Sequence, residues 1–171
     1  MDTRDIDRFL ADSPKTLVGM PDWVESDRPD ELSATWNIAD SAGIISAQLR
    51  FRCPAFDKLH PSVSLIFRGT PVWRVDLARP TLCKWNLPDA ADLGLPAQVC
   101  GSHEHAWPDN RQYVIDNGGG QLPYRRPLPP QVRRLPQATL VLADQINLEV
   151  GHDQRGFDVP PYADLFERQQ Q

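Results

Sequence analysis

Residues 44–53, Ile-Ile-Ser-Ala-Gln-Leu-Arg-Phe-Arg-Cys, alternate apolar and polar side chains from Ile45 onward. An alternation with a period of two is typical of a β-strand with one buried face and one solvated face. Residues 62–68 and 72–78 repeat the pattern, and Gly69-Thr70-Pro71 between them indicates a turn. Because connections this short cannot support parallel crossovers, the three segments predict an antiparallel meander.

The segments on either side of the meander complete an α+β fold. The sequence predicts a helix at 2–12, an arm at 13–31, a strand at 33–39, an irregular insert at 79–97, a strand at 98–107, a return strand at 111–115 after a turn at 108–110, a helix at 137–148 and a short helix at 162–170. The expected fold is a single domain, residues 1–171, in which an antiparallel sheet of five or six strands carries helices on one face. Its parts are an N-terminal helix and arm (1–31), a sheet-plus-helix core (32–148) and a polar C-terminal tail (149–171).

Composition narrows the classes of protein that fit. The chain has 171 residues and a formal net charge of −5, so any nucleic-acid contact requires a local basic patch. Cys53, Cys83 and Cys100 are odd in number and lack a CxxC spacing, which favours reduced, buried cysteines over a disulfide scaffold. With no signal-peptide or membrane-span pattern, the expected location is cytoplasmic and no membrane contact is expected.

Residues 101–109, Gly-Ser-His-Glu-His-Ala-Trp-Pro-Asp, contain two of the four histidines. On an extended strand, His103 and His105 project from the same face. Three interpretations stay open: a metal site completed by Asp109 or another carboxylate, an acid–base pair, or a polar pair on a wet face. Because the sequence shows only two clustered histidines and no cysteine pair, we expect no cofactor and no stoichiometric zinc.

Arginines mark the outward phase of the meander. Arg50, Arg52, Arg68 and Arg74 fall on that phase of three consecutive strands, where they would form one basic patch for a phosphate-bearing substrate. Asp76, two residues beyond Arg74, either neutralises it or orients a histidine. The alternative is an ordinary solvated face.

The order of these motifs resembles a known pattern. Arg74-Val-Asp76, then the Asn86-Leu-Pro88 insert, then Gly101-Ser-His103-Glu-His105 is similar to the TumE-like toxins and related bacterial His-x-His families of toxin–antitoxin type. The likeness covers residues 63–148. It implies that Arg74, Asp76, His103 and His105 are catalytic and that the substrate is RNA.

Two functions from different classes follow. The first is a toxin-like, RNA-directed protein acting as a metal-independent ribonuclease, with Arg50, Arg52 and Arg68 binding substrate. The second is a non-catalytic interaction protein, such as an antitoxin or a phage-encoded inhibitor of a host nucleoprotein complex. The second is favoured by the mild acidity and by the absence of a histidine between Asp76 and His103. The expected partner is RNA or a protein, and the sequence leaves the oligomeric state open.

Overall fold

The predicted meander is the centre of a larger sheet in the computed structural model, which describes residues 2–161. The helices are α1 (Thr3–Ala11), α2 (Trp107–Asn117) and α3 (Leu135–Gln145), with a short 3₁₀ helix at Pro88–Leu93. The strands are β1 (Lys15–Val18), β2 (Val24–Glu25), β3 (Glu31–Ala39), β4 (Ile45–Pro54), β5 (Ser62–Phe67), β6 (Thr70–Asp76), β7 (Cys83–Trp85), β8 (Gln98–Cys100), β9 (His103–His105), β10 (Arg126–Pro127) and β11 (Leu148–Glu149).

The main sheet has nine strands in the order β10-β9-β6-β5-β4-β3-β1-β11, with β2 paired to β3. All its pairings are antiparallel except the one between β1 and β11. Strands β7 and β8 form a separate two-stranded ribbon. The α+β class is therefore confirmed, while the expected five or six strands underestimate the sheet, because its short edge strands carry too few residues to show an alternation.

One face of the main sheet carries the hydrophobic core. The inward side chains of the meander, among them Leu49, Phe51 and Val63, are fully buried. Ile6 of α1 and Leu142 of α3 belong to the same core cluster. The opposite face keeps the polar residues of the alternation, and this face holds the candidate site.

The return strand predicted at 111–115 is wrong. Residues Trp107–Asn117 form helix α2, with Pro108 in its first turn and Asp109 next to it. Proline lacks an N–H, which the first turn of a helix does not need, so Pro108 lies at the start of a helix where we expected a turn. The strand predicted at 98–107 is also divided, into β8 and β9. Between them Gly101 adopts a left-handed backbone with φ of 79°.

The expectation of three reduced cysteines is wrong for two of them. Cys83 and Cys100 face each other across the β7–β8 ribbon and form a disulfide. The pairing brings together residues 17 positions apart, which no local spacing rule identifies. Cys53 is free and fully buried, as predicted for a cysteine packed as a small apolar side chain.

The ends of the chain are more ordered than the sequence indicates. The predicted arm contains β1 and β2, and the predicted polar tail contributes β11 and the buried Phe157. The helix predicted at 137–148 is confirmed as α3, two residues earlier, with Pro136 in its first turn. The helix predicted at 162–170 lies outside the described residues. Within 2–161, no helix is both long enough and apolar enough to cross a bilayer.

Candidate functional site

Strand pairing brings the two sequence motifs together. Strand β9 lies antiparallel beside β6, so that His105 is opposite Arg74 and His103 is opposite Asp76. Cross-strand partners project from the same face of a sheet. These four residues therefore share one face of the sheet, and that face is the polar one, away from the inward Val63 and Leu65. We call Asp76, His103 and His105 the histidine–aspartate cluster.

Backbone carbonyls fix both imidazoles through the same ring nitrogen. His103 Nδ1 lies 2.8 Å from the Gly101 carbonyl oxygen, and His105 Nδ1 lies 2.5 Å from that of Leu122. A carbonyl only accepts hydrogen bonds, so each Nδ1 carries the hydrogen and each neutral ring keeps its lone pair on Nε2. The two Nε2 atoms therefore become the reactive ends of the pair.

Asp76 is the centre on which both rings converge. Its Oδ1 accepts hydrogen bonds from Arg74, at 2.8 Å from Nε and 2.6 Å from Nη2. Its Oδ2 lies 3.5 Å from His103 Nε2 and 3.4 Å from His105 Nε2. Burial alone would raise the pKa of Asp76, but His105, Arg74 and His103 around it lower that pKa to about 2. The group is thus a carboxylate at neutral pH.

The cluster is almost sealed from solvent. His103, His105 and Asp76 are 1%, 7% and 8% exposed. Burial lowers the pKa of His103, against the opposing effects of the Gly101 carbonyl and Asp76. Asp76 Oδ2 and His103 Nε2 are buried, and neither has a hydrogen-bond partner among residues 2–161. Buried polar atoms without partners are rare in native proteins and require a physical explanation.

Beside the cluster lies an arginine cleft of about 190 Å³. Its lining includes Arg50, Arg52, Ser64, Arg74 and His105. The strand registers place Arg50, Ser64, Arg74 and His105 in one row across four strands. Neither His103 nor Asp76 lines this cleft, so His105 is the imidazole that meets a ligand there.

The charges of the cleft are only partly compensated. Arg52 lies 3.7 Å from Glu31, and Arg74 is paired with Asp76. Arg50 is half-buried and makes no ion pair within residues 2–161. A half-buried, unpaired guanidinium is suited to receive a phosphate or a carboxylate.

Arg68 is not part of this patch, contrary to the sequence prediction. It lies in the β5–β6 turn with φ of 46° and is ion-paired with Asp5 of α1, at 3.1 Å. The register of β5 and β6 shifts between Leu65 and Ile66, and the strand ends before Arg68. The alternation that places the other arginines on one face therefore does not extend to this residue.

The third donor proposed with the histidines is also not Asp109. Its carboxylate is buried in an ion pair with Arg126. Asp76 is the carboxylate that meets the two rings. It neutralises Arg74, as one of the two interpretations expected, whereas the rings are held by the Gly101 and Leu122 carbonyls. Of the other histidines, His60 pairs with Asp57 and His152 is exposed.

Several residues around the cluster escaped the sequence reasoning. Arg125 is partly buried with an unpartnered Nε, and its pKa is lowered by burial and raised by the charge of Asp76. The side-chain amide of Asn86 donates to the backbone carbonyl of Arg125 and accepts from its backbone N–H. The amide of Asn110 makes the same two bonds with Tyr124. These two amides hold the segment that carries Arg125 and the Leu122 carbonyl. A buried asparagine has no sequence signature that separates it from a turn residue.

The chain matches no protein-family model, no curated protein and no solved structure. The geometry of the cluster and of the arginine cleft is therefore what points to a function.

Proposed function

We propose that the protein is an RNA-directed enzyme that binds the phosphodiester backbone in the arginine cleft and cleaves it at the histidine–aspartate cluster. The observation that carries the proposal is the row formed by Arg50, Ser64, Arg74 and His105 across four strands. It places phosphate-binding groups beside an imidazole at one end of a cleft. RNA as the substrate class comes from the resemblance to the TumE-like toxins.

The residues have distinct roles in this proposal. Arg50 and Arg52 bind flanking phosphates, and Arg74 stabilises the negative charge that develops on the reacting phosphate. His105 is the member of the cluster that lines the cleft and meets the substrate, whereas His103, whose Nε2 is buried, does not touch it. A scheme with one imidazole as base and the other as acid requires both rings to reach the phosphate. Because His103 does not line the cleft, this scheme does not fit the site.

An exposed aromatic side chain supports a nucleic-acid ligand. Trp85 on the ribbon is 69% exposed, and its carbonyl accepts a hydrogen bond from Arg125, at 3.0 Å. Exposed aromatic rings next to cations are common stacking platforms for single-stranded bases. The formal net charge of −5 does not oppose this ligand, because Arg50, Arg52 and Arg74 supply a local basic patch at the cleft.

The proposal is tested with purified full-length chain and labelled single-stranded RNA, measuring binding by anisotropy and cleavage by gel electrophoresis. We expect His105→Ala to reduce cleavage by at least about a hundredfold. We expect Arg50→Ala to weaken binding and to lower the salt dependence by about 0.7 per lost phosphate contact. Expression of the wild type should arrest growth, and His105→Ala should relieve the arrest.

Arg68→Ala is the matched control, because it removes the same charge from outside the cleft and should leave cleavage unchanged. RNA binding and cleavage that are equally affected by Arg50→Ala and Arg68→Ala would overturn the proposal. So would tight binding of a protein partner by a chain that neither cleaves RNA nor arrests growth, which is the result expected of an interaction protein. A cytoplasmic location is part of the proposal. The Cys83–Cys100 disulfide is the feature that opposes it, since the cytosol keeps most thiols reduced.

A further inference from the structure

Two imidazoles and one carboxylate direct three polar atoms at one another, namely the two Nε2 atoms and Asp76 Oδ2. The Nδ1 hydrogens are already donated to the carbonyls of Gly101 and Leu122, so no hydrogen from them reaches Asp76 Oδ2. A cluster of acceptors without a donor is unfavourable in a buried place, where unpaired polar atoms are costly. A cation or a hydrogen-bond donor placed between these atoms would relieve the arrangement.

A proton does not satisfy the arrangement. If one ring were an imidazolium, its Nε2 would donate to Asp76 Oδ2 at the length of a charge-assisted bond, about 2.7–2.9 Å. The observed separations are 3.5 Å from His103 and 3.4 Å from His105. One added proton would also leave the second ring without a partner.

A metal ion satisfies all three atoms. Bonds of about 2.0–2.2 Å around a tetrahedral ion place its ligand atoms about 3.3–3.6 Å apart. Both observed Nε2–Oδ2 separations fall in that interval, and the three donor atoms all lie within 4.8 Å of one another. We propose that Asp76, His103 and His105 form a binding site for a divalent first-row transition ion such as zinc, bound through Asp76 Oδ2 and the two Nε2 atoms.

The surroundings of the cluster are those of a metal site. Histidine ligands commonly donate their other N–H to a backbone carbonyl, and ligating carboxylates are themselves hydrogen-bonded. Gly101, Leu122 and Arg74 supply these contacts here. Imidazole nitrogen selects zinc and its neighbours over magnesium, which prefers an all-oxygen site.

Three protein ligands leave one coordination position for water or substrate. His105 belongs both to the cluster and to the lining of the arginine cleft, so that position would lie next to bound phosphate. With the ion bound, His105 would act as its ligand and not as a free acid or base, because Nδ1 is held by the Leu122 carbonyl. This inference reverses the expectation of no stoichiometric zinc, because the structure supplies the third donor that the sequence could not assign. It goes beyond the proposed function, and metal content is measured without any RNA.

The experiment uses the untagged full-length chain, stripped with a chelator, incubated with zinc chloride and separated from free ion by gel filtration. Mass spectrometry of the metal should find close to one zinc per chain. His103→Ala, His105→Ala and Asp76→Asn should each lose it, while magnesium chloride should leave no bound ion. His60→Ala, which removes a surface histidine paired with Asp57, is the matched control and should retain the zinc.

Two further measurements do not require a ligand variant to fold. X-ray absorption at the zinc edge of the wild type should show two imidazoles and an oxygen ligand at about 2.0–2.1 Å. Arg74→Ala, which removes the partner of Asp76 Oδ1, should weaken zinc binding by about 10–100-fold in competition with a chelating dye. Failure to retain zinc, or an absorption spectrum without imidazole, would overturn the site. Zinc binding without cleavage would overturn the proposed function alone, and cleavage by a chain that fails to retain zinc when zinc is supplied would overturn the site alone.

Discussion

At the scale of single residues, Asn110 connects helix α2 to the segment that fixes His105. Its amide nitrogen donates to the carbonyls of Ala106 and Tyr124, at 2.8 and 3.0 Å, and its oxygen accepts from Tyr124 N–H, at 2.8 Å. The side chain is fully buried. Each buried partner left unsatisfied costs about 1–3 kcal/mol. We therefore expect Asn110→Ala to lower the free energy of unfolding by at least about 2 kcal/mol, as measured by urea denaturation.

Asn117 provides the control within the same helix. Its side chain is exposed and donates only to the Tyr113 carbonyl, so Asn117→Ala should change the free energy of unfolding by no more than about 0.5 kcal/mol. Equal losses in the two variants would contradict the role assigned to Asn110. The sequence did not identify this residue, because Asp109-Asn110 after Pro108 has the composition of a turn. Only the fold shows that the amide is buried.

At the scale of elements, the ribbon of β7 and β8 depends on the Cys83–Cys100 disulfide. The bond closes a loop with a sequence separation of 17 residues. Closing a loop of roughly this length stabilises a folded chain by about 3 kcal/mol in the chain-entropy description. We expect the double variant Cys83→Ala, Cys100→Ala to lose about 2–4 kcal/mol of unfolding free energy.

A thiol count tests the pairing directly. The chain has three cysteines, of which Cys53 is free. Denatured protein should therefore show one reactive thiol per chain before reduction and three reactive thiols after reduction. Three reactive thiols without reductant would show that the disulfide is absent. Cysteine number and spacing led to the opposite prediction, because pairing depends on the strand register and not on a local motif.

At the scale of the whole molecule, prediction from sequence succeeded where the pattern is local. Arg50, Arg52 and Arg74 share a face because alternation along β4 and β6 places them there, and His103 and His105 share one by the same rule. The sequence did not predict which strands lie next to each other, because the pairing joins segments that are far apart in the chain. Strand β1 pairs with β11, which lies more than a hundred residues later in the chain. Strands of two to four residues are also too short for an alternation of apolar and polar side chains to be recognised in the sequence. The sequence left open which carboxylate joins the two histidines, for the same reason. Only the pairing of β6 with β9 shows that it is Asp76 and not Asp109.

Phe157 shows how the two ends of the chain stabilise the sheet together. It stacks on Trp23 at 5.7 Å and meets Trp36 and Phe51 edge-on, at 5.2 and 5.0 Å between ring centroids. The residue lies in a segment that composition identifies as a polar tail, yet it is 8% exposed. Truncating a buried phenylalanine to alanine costs about 3–5 kcal/mol. We expect Phe157→Ala to lower the free energy of unfolding by that amount, with a single transition followed by tryptophan fluorescence and by circular dichroism.

The matched control is Phe56→Ala, which removes the same side chain from a loop position that is 79% exposed. That variant should stay within about 0.5 kcal/mol of the wild type, because its ring buries little area in the folded chain. If Phe157→Ala were equally mild, the C-terminal segment would contribute no packing and β11 would hold the sheet edge without it. If instead Phe157→Ala unfolded in two steps, the aromatic group around Trp23 would be a unit separate from the meander, contrary to the single core cluster that contains both Phe157 and Val63.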